Sequence, residues 1–185
     1  MPLADALSSL STSINEQART NVAKYAESLT VVRSSGQELH SLVFYGKPGS
    51  GKTSLATTVF KQIICNGLVD SALWVNSSDL PTMVRATYGT STSEDDVIDK
   101  YKMTDLLLLD DFGRGNITKH AEDLTYRVMD YRYRWDLPLI VTTNDDPREL
   151  VEKFDMAVVQ RVASTAAWIR MDALKRGIKL EEWEK

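Results

Sequence analysis

The sequence predicts an α/β fold in three layers, with a central parallel sheet of about five strands and helices on both faces. Three observations point there. Short apolar runs recur along the chain, the segments between them are long enough for crossover helices, and two of those segments carry apolar residues at helical spacing. In chain order, residues 1–35 place Ile14, Ala18, Val22, Tyr25, Ala26 and Leu29 at three- and four-residue intervals, which predicts an N-terminal helical extension. Leu42–Tyr45, ended by Gly46, reads as a buried strand. A helix follows from about Lys52 to Asn66, with Gly67 as its stop signal. Further strands are expected at Ala72–Val75, Leu106–Leu109, Leu139–Thr143 and Ala167–Met171, and a second clear helix at His120–Trp135. On that helix Leu124, Val128, Tyr131 and Trp135 form one stripe, read as core. Gly89–Asp96 reads as an exposed polar loop, and Cys65, beside Ile63 and Ile64, as a small buried apolar residue. These elements place a single core domain at residues 36–172, followed by a tail at 173–185.

Composition narrows the classes of function. The 185 residues carry 22 Lys+Arg against 26 Asp+Glu, a formal charge of −4, with 43% hydrophobic and 26% charged residues. This is ordinary for one globular domain and far from the composition of disordered chains. The acidic balance argues against coating nucleic acid by charge alone. No apolar run exceeds four residues, whereas crossing a bilayer takes roughly 20, so no membrane span is expected. The start, Met-Pro-Leu-Ala-Asp, lacks the basic and apolar regions of a secretory signal, which makes the cytoplasm the expected location. One cysteine and two isolated histidines, His40 and His120, offer neither a disulfide framework nor a zinc site.

The strongest local signal is the run Gly46, Lys47, Pro48, Gly49, Ser50, Gly51, Lys52, Thr53, which satisfies glycine, four residues, then Gly-Lys-Ser/Thr. It follows a predicted strand and opens a predicted helix, with Ser54 next in line. There, glycine-permitted backbone can aim N–H groups at phosphate oxygens while the helix N-terminus adds favourable potential. Lys52 is expected to reach the β- and γ-phosphates of a bound nucleotide, and the Thr53 hydroxyl to ligate Mg²⁺. A second signal is Asp110-Asp111 at the end of the Leu106–Leu109 strand. Adjacent acids on a buried strand are costly unless a cation or a reaction uses them. Asp110 is then a second Mg²⁺ ligand and Asp111 the base that polarises the attacking water. The plainer alternative is a pair of capping aspartates before Phe112-Gly113. The third signal is Asn144, after Leu139–Thr143. If that strand lies between the other two, Asn144 can bond the attacking water or the γ-phosphate; otherwise it caps the turn before Asp145-Asp146-Pro147.

Together these segments resemble those of AAA+ ATPases, P-loop NTPases without, in this case, a separate helical lid. The likeness is to the replicative helicase-loader group that includes DnaC, DnaI and the transposition helper IstB. Besides the phosphate loop, it rests on Trp74-Val-Asn-Ser-Ser-Asp-Leu80, Thr104-Asp-Leu-Leu-Leu-Leu-Asp-Asp-Phe-Gly113 and Tyr131-Arg-Tyr-Arg-Trp-Asp-Leu-Pro-Leu-Ile-Val-Thr-Thr-Asn144, and covers roughly residues 20–172. The resemblance implies that Asn144 is a sensor residue. It also implies that Arg161, in a segment resembling the helix that carries an arginine finger, reaches the ATP of a neighbouring subunit. Arg148 is the weaker competitor for that role, and a surface arginine on an amphipathic helix is the bland alternative for Arg161.

Expected partners are therefore a replicative DNA helicase, single-stranded DNA, and further copies of the chain through a shared ATP site. The runners-up are an IstB-like helper that grips duplex DNA and a transposase, and an adaptor that binds nucleotide with little turnover. About 35 residues precede the core, fewer than the N-terminal module with which such loaders grip the helicase. After Met171, Asp172-Ala-Leu-Lys-Arg176 stands where the group carries a second sensor, and Arg176 is the nearest substitute. The DNA-channel position implied by the resemblance, Ser78–Thr104, offers Arg85, Tyr88, Lys100 and Lys102, but its three basic residues face five acidic ones.

Overall fold

A computed structural model describes residue 20 and residues 39–115 and 117–171. The N-terminal extension, the tail and Arg176 lie outside these, apart from Thr20. The elements run β1 (Ser41–Tyr45), α1 (Lys52–Cys65), β2 (Ala72–Asn76), α2 (Asp79–Arg85), α3 (Glu94–Met103), β3 (Leu106–Phe112), α4 (Lys119–Arg134), β4 (Leu139–Thr143), α5 (Pro147–Lys153), α6 (Met156–Thr165) and β5 (Ala166–Arg170).

All five strands are parallel, in the order β2-β3-β4-β1-β5. Parallel strands covered on both faces read as continuous apolar runs, as Leu106–Leu109 does. Alternate residues then enter different cores. Leu42, Phe44, Leu106, Leu108, Ile140 and Ile169 pack with Leu55, Ala56, Val59, Phe60 and Ile63 of α1. Val43, Leu107, Leu109 and Val141 pack on the other face with residues of α2 to α6. The expected three layers are therefore present.

Helix boundaries follow local chemistry. α1 closes when Gly67, at φ +63°, lets its N–H reach Ile64 O while the Leu68 N–H reaches Ile63 O, a glycine-ended closure. Ser93 and Asp96 form a reciprocal capping box, so Glu94, Asp95 and Asp96 are the first turn of α3, not part of the preceding loop as expected. Asp146, not Asn144, caps α5, with Glu149 completing its box and Pro147 in the first turn.

Two further expectations are corrected. Cys65 is exposed, because the buried face of α1 ends at Ile63. Trp135 is 66% exposed: α4 ends at Arg134, so the stripe stops before it, and the buried side chains are Leu124, Val128, Met129, Asp130 and Arg132.

Candidate functional site

The order of the sheet places β4 between β3 and β1, so the C-terminal ends of all three strands come together. From β1 the chain enters the phosphate loop at Gly46, whose N–H donates to Thr143 O at 3.2 Å. Gly46 has φ +134°, and a Cβ built on it would lie 2.1 Å from Met171 O, so only glycine fits between the ends of β1 and β5. Gly51, at φ +87°, is the N-cap of α1 and supplies no side-chain cap. The first-turn N–H groups are thus left for a ligand.

Lys52 heads α1 and is 6% exposed. Its ammonium donates to Gly46 O at 2.8 Å and to Lys47 O at 2.9 Å, beneath the loop, with Ser50 Oγ at 3.5 Å. Burial lowers its pKa, while Asp111 and Asp110 work in the opposite direction. An arriving polyphosphate would add to that opposing pull. Thr53 Oγ1 donates to Asp110 Oδ1 at 2.8 Å, joining α1 to the end of β3.

The β3–β4 register shifts between Leu109 and Phe112, and Asp111 takes φ +55°, a conformation non-glycine residues rarely adopt. Such irregularities re-aim side chains and concentrate at functional sites. Asp110 Oδ1 also accepts from Thr142 Oγ1 at 2.5 Å, while the Asp111 N–H donates to that same hydroxyl at 3.0 Å. Ser77 ties down both carbonyls: its N–H donates to Asp110 O and its Oγ to Asp111 O, each at 2.9 Å. Arg114 Nη1 donates to Asp111 Oδ2 at 2.8 Å from a largely exposed side chain. Asp111 Oδ1 has no partner among the described residues.

Sequence reasoning passed over Thr142 and Ser77. Thr142 left only a faint signal, a hydroxyl directly after the apolar run Leu139–Val141, and it is completely buried.

Asn144 is exposed and lines a cavity of about 450 Å³ with Gly46, Lys47, Arg148 and Arg170. Arg148 therefore borders its own chain's phosphate loop, which argues against the trans role weighed for it. Arg161 stands apart from this group. It lies on α6 and its Nε donates to Asp130 Oδ1 of α4 at 3.1 Å. Arg85, Tyr88 and Lys100 are exposed, whereas Lys102 is bonded to Asp99 at 3.1 Å and lies over the Tyr131 ring. His40 and His120 are both exposed.

The donor set fits a hydrated Mg²⁺. One hydroxyl and one carboxylate oxygen, Thr53 and Asp110, meet at the loop, and hard oxygen ligands in small number suit a cation that keeps most of its waters.

Parallel sheet, phosphate loop and strand-end carboxylates define the P-loop NTPase fold. Residues 6–168 match the family described as IstB-like ATP binding protein, and the chain belongs to that family. It is 26% identical over 131 residues to the replicative helicase loader DnaC of Escherichia coli (strain K12), covering 70% of this chain and 53% of that one. The chain thus spans about half the length of the curated relatives it matches. Among solved structures, the DnaC helicase loader superposes with a TM-score of 0.69 at 20% identity, over 85% of this chain and 92% of that one. The replication initiator DnaA bound to AMPPCP and single-stranded DNA superposes with a TM-score of 0.69 at 18% identity, over 87% and 48%. No helix among the described residues is long and apolar enough to cross a membrane.

Proposed function

We propose that this AAA+ ATP-binding protein is a Mg²⁺-dependent ATPase of the helicase-loader type, whose turnover requires a second copy of the chain and is coupled to single-stranded DNA or a replicative helicase. The observation that carries the ATPase reading is the link from Thr53 Oγ1 to Asp110 Oδ1 at 2.8 Å, directly beneath the phosphate loop and beside Asp111. Gly46 and Pro48 shape the phosphate loop, and Lys47, Gly49, Ser50, Gly51 and Ser54 supply its backbone and helix-start N–H groups to the phosphates. Lys52 leaves its carbonyl partners to neutralise the β- and γ-phosphate oxygens. Thr53 and Asp110 hold Mg²⁺, which when bound offsets charge on the β- and γ-phosphates. Asp111 accepts the attacking water's hydrogen bond at Oδ1, its other oxygen being held by Arg114. Asn144 bonds that water or the γ-phosphate from the neighbouring strand end. Arg161 comes from the adjacent subunit and offsets charge developing on the γ-phosphate, which ties hydrolysis to assembly.

Support for the DNA and helicase part is the likeness to DnaC and the two helices α2 and α3 inserted between β2 and β3, with Arg85, Tyr88 and Lys100 exposed. A second reading, a transposition helper on duplex DNA, draws on the IstB-like family itself.

The test is the ATPase rate per subunit against protein concentration, with single-stranded DNA, duplex DNA or neither, at saturating Mg²⁺ and after chelation. A rate that climbs with concentration, rises further with single strands and vanishes on chelation is expected. Stimulation by duplex alone would favour the second reading. A slow rate independent of both concentration and DNA would overturn the shared-site mechanism.

A further inference from the structure

Four arginines lie on or against α4, and they use their nitrogens differently. Arg127 engages both terminal nitrogens, Nη1 on Glu94 and Nη2 on Asp95. Arg132 places both on backbone carbonyls. Arg134 gives Nη2 to Asp130 Oδ2. Arg161 gives only Nε, to Asp130 Oδ1 at 3.1 Å, and among the described residues neither of its terminal nitrogens has a partner. Its guanidinium carbon lies 4.7 Å from the centre of the Tyr133 ring.

One edge of the guanidinium is therefore anchored and an aromatic ring lies against it, while the two-pronged end has no partner among the described residues. That is the arrangement a fork needs in order to meet an anion bidentately with little further ordering. Asp130 is 6% exposed. Burial works against its charge, but the hydrogen bonds from Arg134 and Arg161 outweigh this and hold its carboxyl below the usual range. With two cations on one carboxylate, the cluster keeps a net positive charge.

We infer that Asp130, with Tyr133 against the guanidinium, is the positioning residue that presents Arg161 to the γ-phosphate held by a second copy of this chain. This rests on reading Arg161 as the trans-acting arginine. Asp130 itself touches neither nucleotide nor water. It fixes the fork, so that the ordering cost is met on folding and not in the transition state.

The experiment compares Asp130→Asn, Tyr133→Leu, Arg161→Ala and the Asp130→Asn/Arg161→Ala double variant in the full chain, at concentrations where the wild-type rate has saturated. ATP affinity is measured separately with a fluorescent analogue. Asp130→Asn should lower kcat about tenfold, the scale of one charged hydrogen bond, with ATP affinity and KM unchanged. In the double variant it should add nothing to the loss caused by Arg161→Ala. Tyr133→Leu, at a side chain 38% exposed, should lower kcat a few-fold with the fold intact, which keeps the inference testable if Asp130→Asn does not fold.

Subunit mixing supplies the readout a merely structural role would not move. Adding Lys52→Ala subunits, which cannot turn over their own ATP but carry an intact Asp130–Arg161 pair, should restore rate to Asp130→Asn subunits. Lys52→Ala/Asp130→Asn subunits should not. If Arg161→Ala lowers kcat while Asp130→Asn and Tyr133→Leu leave it unchanged, or if the losses are additive, the positioning role is overturned and the trans-arginine reading stands. If Arg161→Ala has no effect, both fall together.

Discussion

At the N-terminal ends of β3 and β4 a buried arginine is committed to the protein's own backbone, whereas at the C-terminal ends of the same strands polar groups are left for something else. Arg132 is 1% exposed. Its Nη1 donates to the carbonyls of Tyr101, Lys102 and Thr104, and its Nη2 to those of Asp105 and Pro138, at 2.7–3.2 Å. Burial pulls its pKa down to about 10, which leaves it charged at neutral pH. Beside it, Asp105 Oδ2 accepts from the N–H groups of Asp70 and Ser71, and Ser41 Oγ accepts from the Leu139 N–H. At the opposite end stand an uncapped helix start, glycines at positive φ, an Asp111 at φ +55° with one oxygen unpartnered among the described residues, and Lys52 resting on loop carbonyls. Arg132 Nε is the exception at its end, buried with no hydrogen-bond partner among the described residues, but both terminal nitrogens there are spent on the fold, whereas the groups at the opposite end are placed to meet a ligand.

Breaking each end should give different losses. The largest expected effect is at the phosphate-loop end. Asp111→Asn removes the carboxylate proposed as the base while keeping size and a hydrogen bond from Arg114, and should lower kcat by roughly 10²–10⁴-fold. ATP affinity and the melting temperature should stay put, as a fluorescent nucleotide and a thermal melt would report. Retained turnover would remove Asp111 from the mechanism. At the Arg132 end, Arg132→Leu removes the donors to five buried or partly buried carbonyls and should cost on the order of 3 kcal/mol, lowering Tm by roughly 10 °C. ATPase activity per folded molecule should survive at a temperature below the new midpoint. Equal loss of activity and stability would mean that the two ends are not separable. Gly46→Ala sits between these cases, because it forces a Cβ against Met171 O at φ +134°. A cost of about 1–3 kcal/mol is expected from the strained backbone, with weakened ATP binding as the loop shifts; unchanged affinity would show that the loop tolerates the move.

Legibility in the sequence followed the range of the interaction. The strands, the phosphate loop and the Asp110-Asp111 pair were readable because buried runs and motif spacings are local facts. Asn144 required only the position of β4 in the sheet, which the topology supplies. What stayed hidden depends on partners far along the chain. Thr142 meets Asp110 across 32 residues, and Arg161 meets Asp130 across 31. A helical stripe predicts burial of apolar residues, so it could not show that Asp130 and Arg132 are also buried members of α4 while Trp135 is not. The reading of Glu94–Asp96 as loop failed for a nearer reason, since Ser93 and Asp96 spell a capping box in a stretch whose polarity suggested coil.

The smallest effect is predicted at Cys65, where a sequence argument and the structure part ways. Cys65 follows two isoleucines and a cysteine is usually buried, yet the apolar face of α1 runs Leu55, Ala56, Val59, Phe60, Ile63, and continuing that spacing carries it past residue 65 to the helix end. Ile64 is accordingly 42% exposed and Cys65 is exposed with it. Cys65→Ser should then change stability by less than about 0.5 kcal/mol, and a thiol reagent should label the folded, ATP-bound protein as fast as it labels a free thiol. Gly67→Ala, two residues on, should cost more, about 1 kcal/mol, because φ +63° at that position makes the turn that satisfies the last carbonyls of α1. Labelling of Cys65 only after unfolding would mean that a segment outside the described residues, or a partner subunit, covers this end of α1, and would move it from the surface to an interface.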